Sequence, residues 1–311
     1  MFKTIKLAAA YFRWVPSTSV KRFTAITALL LTTFFWGITF TIVKDAVARV
    51  DVFVFLAQRF FAATVVILLL CLARRTPLTG QALRHGAILG FFLFASYGFQ
   101  TMALRFTTAS NTGFLTGLSV VLVPLLGAWF FGHAIAPGVR LGVALAFPGL
   151  FLLCTNGALV FNVGDLLAAV CAVCISLHLI LTGSYARGSD VFWLTAVQLG
   201  TVTLMSLGAA TAAGEPVLAW HPETLWALVI CALFATVFAF LVQTAVQRVI
   251  SPAQTALMFC LEPVFAALYA FWAAGERLGG YGYLGALLIL AGMVVSELPS
   301  RAAPAEASTP A

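Results

Sequence analysis

The stretch "QTMALRFTTASNT", residues 100–112, aligns without a gap on "QTAVQRVISPAQT", residues 243–255. Gln100 meets Gln243, Thr101 meets Thr244, Arg105 meets Arg248 and Thr112 meets Thr255, all at an offset of 143 (248 − 105). The register runs on through Leu118/Leu261, Val121/Val264, Trp129/Trp272, Gly132/Gly275, Gly142/Gly285 and Gly149/Gly292. Chance matches between apolar segments are common, but polar, Trp and Gly coincidences in one ungapped register are not. Self-similarity at a fixed offset is the mark of a duplicated unit.

The duplicated unit is a membrane-embedded one. Of 311 residues, 62% are apolar and only 9% charged, with a mean hydropathy of +1.05. No soluble core absorbs that much apolar surface. A bilayer-spanning helix needs roughly 20 mostly apolar residues, and backbone groups in lipid must be bonded internally, which leaves helices or closed barrels. The apolar runs here are long and unbroken rather than alternating, so the expectation is an all-α integral membrane protein. Ten transmembrane helices are expected at 24–43, 52–72, 86–104, 109–131, 138–156, 164–182, 191–212, 223–246, 251–273 and 279–297.

The basic residues set the orientation. With the N-terminus in the cytoplasm, twelve of the 17 Lys and Arg fall on that side: Lys3, Lys6, Arg13, Lys21, Arg22, Arg74, Arg75, Arg84, Arg140, Arg187, Arg248 and Arg301. Lys44, Arg49, Arg105 and Arg277 fall outside, and Arg59 lies within a span. Both termini are therefore expected in the cytoplasm. A repeat of five spans ends on the face opposite to its start, so the second copy enters upside down. The expected organisation is two inverted five-helix repeats, 24–157 and 163–297, after a basic N-terminal segment at 1–23 and before a small, polar, disordered tail at 298–311. Inverted repeats underlie alternating access in many transporters, with the substrate near the midplane between the halves.

The net charge of +7 sits at span ends, without the basic stripe and interleaved aromatics of a nucleic-acid binder, so no nucleic-acid partner is expected. The six cysteines, Cys71, Cys154, Cys171, Cys174, Cys231 and Cys260, all lie in apolar runs and suggest neither a disulfide framework nor a metal site. No metal and no cofactor are expected. The first apolar run is too long for a signal-peptide core and reads as an uncleaved span. "FKTIKLAAAYFRW", residues 2–14, mixes basic and aromatic positions and suits either the inner leaflet or a disordered tail.

Four segments carry a likeness to a known family: "FFWGITF" (34–40), "ALRFTTASNTGFLTGLSVVLVPLLGAWFFG" (103–132), "GDLLAAVCAVCISLHLIL" (164–181) and "SPAQTALMFCLEPVFAALYAFWAAGERLGGYGYLGALLILAGMVV" (251–295). They resemble EamA-type members of the drug/metabolite transporter superfamily, over roughly residues 24–297. The resemblance implies ten helices in two inverted repeats, an inner (plasma) membrane location, and export or exchange of small metabolites such as amino acids. It names no single substrate. Where the first repeat of the family would carry a "GERL"-like end, this chain has "GHAI", so His133 stands opposite Glu276.

Glu262, in "MFCLEPVFAAL", is the one acidic residue expected deep inside a span. Ionised near the bilayer centre it costs roughly 2.5–3.5 kcal/mol on insertion scales, and such residues face a cavity or a partner. Thr255, Glu262 and Tyr269 recur at seven-residue spacing on one helical face. Thr112, Thr116 and Ser119 form the matching stripe on the fourth span, with Ser119 aligned on Glu262. Two such stripes would line a central cavity between the third, fourth, eighth and ninth spans, with the first and sixth contributing. A proton or a substrate ammonium could be handled there. The plainer alternative is that a protonated Glu262 stabilises packing, or that "LEP" shapes a kink at Pro263.

Arg59 either holds a substrate carboxylate or snorkels or pairs with Asp51 or Glu262. Gln100 and Gln243 suit substrate contact or interhelical bonding equally. His178 reads as a proton relay or as a hydrogen-bonded interior histidine, and Trp36 with Gly37 as a gate or as close packing. Gly86/Gly90, Gly113/Gly117 and Gly138/Gly142 are small-residue faces for helix contact.

Enzyme motifs are missing from the sequence: there is no H-E-x-x-H, no G-x-S-x-G and no P-loop. A receptor or assembly subunit would need larger loops than these. The reading is a secondary active transporter, not an enzyme, that works by alternating access and exports amino acids or related small metabolites, with coupling to protons through Glu262. Its expected partners are a small-molecule substrate, the lipid bilayer and a second copy of the chain. The alternatives are a drug-like or lipid cargo, or a non-transport role.

Overall fold

The computed structural model describes residues 18–132, 134–155, 162–217, 222–274 and 279–298. The basic segment up to residue 17, His133, Glu276, Arg277 and the tail from residue 299 lie outside them. Among the described residues every regular element is helical. The elements are α1 (Thr18–Val47), α2 (Val52–Arg74), α3 (Gly80–Ala103), α4 (Ala109–Gly117), α5 (Ser119–Phe131), α6 (Pro137–Thr155), α7 (Val163–Tyr185), α8 (Val191–Ala212), α9 (Leu225–Ala232), a π-helical turn (Leu233–Phe238), α10 (Ala239–Val246), α11 (Pro252–Phe259), α12 (Glu262–Ala274) and α13 (Gly280–Glu297). Among the described residues nine helical stretches are long and apolar enough to cross a membrane, with α4 and α5 counted together as Ser110–Phe131 and α9 to α10 as Pro222–Val246. The protein is a multi-pass helical membrane protein.

The spans expected at 109–131 and 251–273 as single helices are each interrupted. In the second, Pro263 has no N–H to offer the Phe259 carbonyl. The chain tightens just before it, and the amides of Cys260 and Leu261 reach back only three residues, to the carbonyls of Leu257 and Met258. In the first, the Leu118 amide likewise bonds the Leu115 carbonyl, directly after Gly117. The two breaks fall at Leu118 and at Cys260–Leu261, the same place in the 143-residue register.

Short side chains fix how the halves meet. Helices α6 and α13 pack backbone to backbone: a Cβ on Gly142 would stand 2.7 Å from the Gly292 carbonyl oxygen, and one on Gly149 2.8 Å from that of Gly285. Rising numbers on α6 meet falling numbers on α13, so the pair is antiparallel. The contact is also reciprocal, because Gly142 and Gly149 are themselves the register partners of Gly285 and Gly292. Gly86 and Gly90 bring α3 onto α8, against Val197 and Thr201. Trp129 and Trp272, register partners as well, stand outward, 81% and 83% exposed, as aromatic residues do at a membrane interface.

Caps and ion pairs define two faces. At the N-terminal face Arg22, at the start of α1, meets Glu297, at the end of α13, at 3.0 Å, and Arg74 meets Asp190 at 3.8 Å. At the opposite face Gln58 donates to the Val217 carbonyl at 3.0 Å, and the Thr107 hydroxyl donates to Asp165 at 2.8 Å. Asp51 and Asp190 each cap a helix, α2 and α8, by accepting from the amides two and three residues on. Thr108 and Ser251 cap α4 and α11 in the same matched way. The capping aspartates are 139 residues apart (190 − 51), so the two copies differ by four residues somewhere between their second and fourth spans.

A cavity between the broken helices

A cavity of about 80 Å³ lies where the two interrupted spans meet. Its walls come from α1 (Trp36, Thr39, Phe40, Val43), α2 (Arg59), α3 (Ser96, Tyr97, Gln100, Thr101, with Leu104 just past its end), α4 and α5 (Gly113, Thr116, Gly117, Ser119), α7 (Ile175), α10 (Phe240) and the second break (Phe259, Cys260, Glu262, Pro263). The second span, through Arg59, was not expected among them. The lining reaches the end of α3 at the opposite face, while at the N-terminal side it stops at mid-membrane residues.

Glu262 is the first residue of α12, and its partner in the register, Ser119, is the first residue of α5. Both line the cavity. Glu262 makes no hydrogen bond or ion pair among the described residues, so its carboxyl group is available to the cavity. Gly37 holds it in place: a Cβ there would stand 2.7 Å from the Glu262 carbonyl oxygen and 3.0 Å from the Ala266 amide. Helix α1 thus rests directly on the first turn of α12.

Arg59 is 3% exposed and pairs with neither Asp51 nor Glu262. Its Nε donates to Thr236 at 2.8 Å and its Nη2 to the Ala235 carbonyl at 3.1 Å. The same carbonyl accepts from Trp36 Nε1 at 2.8 Å. Ala235 and Thr236 belong to the π-helical turn, and such turns leave carbonyls free for side chains. The guanidinium lies 5.0 Å from the centre of the Tyr97 ring, within cation–π range. Two of its nitrogens are thereby fixed, which leaves Nη1, on an arginine that lines the cavity, without a partner among the described residues. Trp36 packs edge-on against Phe259 with centroids 4.8 Å apart. On the far wall Gln100 Nε2 donates to Thr116 at 3.5 Å, and Ser96 contacts Cys171 at 3.4 Å.

Of the residues singled out from sequence, Trp36, Arg59, Gln100, Thr116, Ser119 and Glu262 come together around the cavity. Thr112 and Thr255 do not line it: both are buried, and their hydroxyls bond back to the carbonyls of Thr108 and Ser251. Tyr269 is half-buried and also outside the lining. His178 and Gln243 are fully buried in a separate polar cluster towards the N-terminal face. Thr39, Tyr97 and Thr101 were missed. Thr39 follows Trp36 by one turn, and Tyr97 precedes Gln100 and Thr101 by one turn, so the helical neighbours of the chosen residues carried the signal.

A wider hollow of about 510 Å³ opens at the N-terminal face, with Arg22, Arg187, Ile180, Ser184, Gln254 and Ser296 among its walls. Among the described residues there is no group of three or more His, Cys, Asp or Glu side chains placed to hold a metal ion.

A membrane bundle with a midplane cavity, lined from both halves of a duplicated chain, is the architecture of a solute carrier. The EamA-like transporter family model matches twice, over residues 23–155 and 162–297. The chain belongs to that family. It is 32% identical over 279 residues to an uncharacterized transporter of Archaeoglobus fulgidus (90% of this chain, 87% of that one). It is 25% identical over 279 residues to the uncharacterized transporter YyaM of Bacillus subtilis (85% and 90%). A solved crystal structure superposes with a TM-score of 0.71 at 23% identity, covering 89% of this chain and 97% of the other, which speaks for the fold alone.

Proposed function

We propose that the chain is a secondary active transporter that exports amino acids or closely related small metabolites across the inner (plasma) membrane by alternating access. The observation that carries this reading is the presence of a carboxyl, Glu262, and a positioned guanidinium, Arg59, on the walls of one cavity. A zwitterion fits that pair: its carboxylate against Arg59 Nη1, its ammonium against Glu262, and an apolar side chain against Trp36, Phe240 and Phe259. The cavity's 80 Å³ is well below the roughly 300–1,000 Å³ of a drug-sized site. That favours a small solute over a drug-like or lipid cargo.

Ten crossings in two inverted repeats fit several observations together. Nine crossings would leave Glu297 on the face opposite to Arg22, yet the two are paired at 3.0 Å. Counting α11 and α12 as one interrupted crossing restores an even number. Register-related helices α6 and α13 run antiparallel, as a two-fold axis in the membrane plane requires. The two family matches begin 139 residues apart (162 − 23), the same offset as the two capping aspartates. The excess of Lys and Arg at the N-terminal face favours the cytoplasm for both termini.

Glu262 is also the proposed proton site, since a carboxyl without a protein partner can exchange a proton with the cavity. The test is to express the native chain and Glu262→Gln at matched membrane levels, load cells with mixed amino acids, and profile the medium by mass spectrometry against an empty vector. Solutes that appear outside only with the native chain identify the cargo. PH-gradient dependence that persists unchanged in a well-folded Glu262→Gln protein would sink the coupling role.

A further inference from the structure

The cluster around His178 has a direction. Gln247 Nε2 donates to the Leu179 carbonyl at 2.9 Å, which leaves Gln247 Oε1 to accept from Gln243 Nε2 at 3.4 Å. Gln243 Nε2 also donates to His178 Nδ1 at 3.4 Å, so His178 carries its proton on Nε2 and donates to Gln198 Oε1 at 3.0 Å. Gln198 Nε2 in turn donates to Thr244 at 3.3 Å. His178, Gln198 and Gln243 are 0% exposed and Thr244 is 1% exposed. The chain of bonds ties α7 to α8 and α10. One atom is left over: the Gln243 Oε1 acceptor is buried without a partner among the described residues, an uncommon state for a native polar group.

The same four positions exist in the other half. At the offset of 139 that relates the capping aspartates, His178 corresponds to Thr39 and Gln198 to Arg59. At 143, Gln243 and Thr244 correspond to Gln100 and Thr101. Thr39, Arg59, Gln100 and Thr101 all line the cavity, on the side that reaches the opposite face. One set surrounds open space and its counterpart is knotted shut. The knot also sits at the right depth, for on α7 Ile175 lines the cavity and Ile180 lines the hollow at the N-terminal face, with His178 between them.

We infer that His178, Gln198, Gln243 and Thr244 form the lock that closes the cavity from the N-terminal, cytoplasmic face, and that this lock must part for the inward-facing state to form. The inference rests on the alternating-access reading. Parting the lock lets water reach Gln243 Oε1, so the acceptor that is orphaned in the closed state is satisfied in the open one. The asymmetry between the sets also matters: the closed set is neutral throughout, whereas its counterpart contains Arg59, which therefore stays in the cavity wall rather than in a closing seam.

The test reads cavity access from each face. Thr116, half-buried in the cavity wall, is replaced by Cys in a background with Cys171, Cys174 and Cys260 changed to Ser, since Cys171 contacts Thr116, Cys174 is partly exposed and Cys260 lines the cavity. A membrane-impermeant maleimide is applied to right-side-out and inside-out vesicles. With the lock intact, labelling is faster from the outside. Gln243→Leu should raise the rate from the cytoplasmic face about tenfold and lower it from the outside, as a two-state equilibrium shifts. Gly208→Ala, which lies on the exposed side of α8 with nothing within 4 Å of a built Cβ, should leave the cytoplasmic rate unchanged. Should Gln243→Leu not reach the membrane, Thr244→Val, which removes only the hydroxyl that receives Gln198, carries the same expectation at smaller amplitude. An unchanged cytoplasmic rate in a folded lock variant overturns the inference. Equal labelling from both faces with the lock intact would instead count against alternating access itself.

Discussion

Ser119 and Glu262 stand 143 positions apart, and each opens the second half of an interrupted helix on the wall of one cavity. A duplicated chain thus brings the same structural position to one place twice. At that position the copies differ by a carboxyl group, and with Arg59 on the first copy and Glu262 on the second each half brings one ionisable side chain to the cavity.

Gly37 is the contact that sets Glu262's height in the membrane, because its missing side chain lets α1 lie on the Glu262 carbonyl. Gly37→Ala forces that backbone away. Export should fall by up to about a hundredfold, the scale of effect expected when a reacting or binding group is displaced by around an ångström. The membrane yield should stay near native, and paired transport and expression assays check both.

The reciprocal glycine contact between α6 and α13 predicts a stability effect. Gly142→Ala and Gly285→Ala each place a methyl within 3 Å of backbone on the other helix, an overpacking that costs about 1–3 kcal/mol. Thermal unfolding in detergent should fall by several degrees for each. Gly208, which has nothing within 4 Å of a built Cβ, serves as the control, and Gly208→Ala should be neutral or stabilising through helix propensity.

Arg59→Lys keeps the charge and loses the planar fork that reaches Thr236 and Ala235 together. Transport should drop about tenfold or more, whereas Trp36→Phe, which leaves Arg59 to hold the shared Ala235 carbonyl, should cost only about 0.6 kcal/mol, at most 1.7, in stability. Thermal unfolding and transport measured on the same preparations separate the two outcomes.

The Arg22–Glu297 pair predicts that both ends of the described bundle share a face. Fluorescent-protein fusions at either terminus should both be fluorescent, and an alkaline phosphatase fusion at the C-terminus should be inactive. Removing the pair with Glu297→Gln should change stability by less than about 1 kcal/mol, because Arg22 is half exposed and exposed pairs are weak.

Nine of the ten expected spans were legible from apolar runs, and the ungapped register agrees with the family model's two matches, because the third to fifth spans of each copy are equally long. The first two spans escaped that register. They obey an offset of 139, and only the matched caps Asp51 and Asp190 reveal it, which is why Arg59 and Gln198 were not recognised as counterparts. The second interruption was legible in part, as a kink at Pro263 in "LEP", whereas the first was not, because hydropathy runs unbroken through Leu118 and Pro124 lies past that break rather than at it. The seven-residue stripes through Thr112 and Thr255 assumed continuous helices. Thr112 and Thr255 each lie one turn before a residue that lines the cavity, Thr116 and Phe259, but are buried with their hydroxyls bonded back to the carbonyls of Thr108 and Ser251, so the stripes run past the cavity rather than along it.

Reconstitution tests the central claim most directly. Purified native chain is placed in liposomes loaded with a defined mixture of amino acids, and the external medium is followed by mass spectrometry beside Glu262→Gln and protein-free liposomes. The account predicts that particular amino acids leave only through the native chain, faster when a proton gradient is imposed, and that Glu262→Gln abolishes the response to the gradient. If no amino acid leaves faster than from protein-free liposomes, although the chain is folded and inserted, the zwitterion-exporting cavity is contradicted.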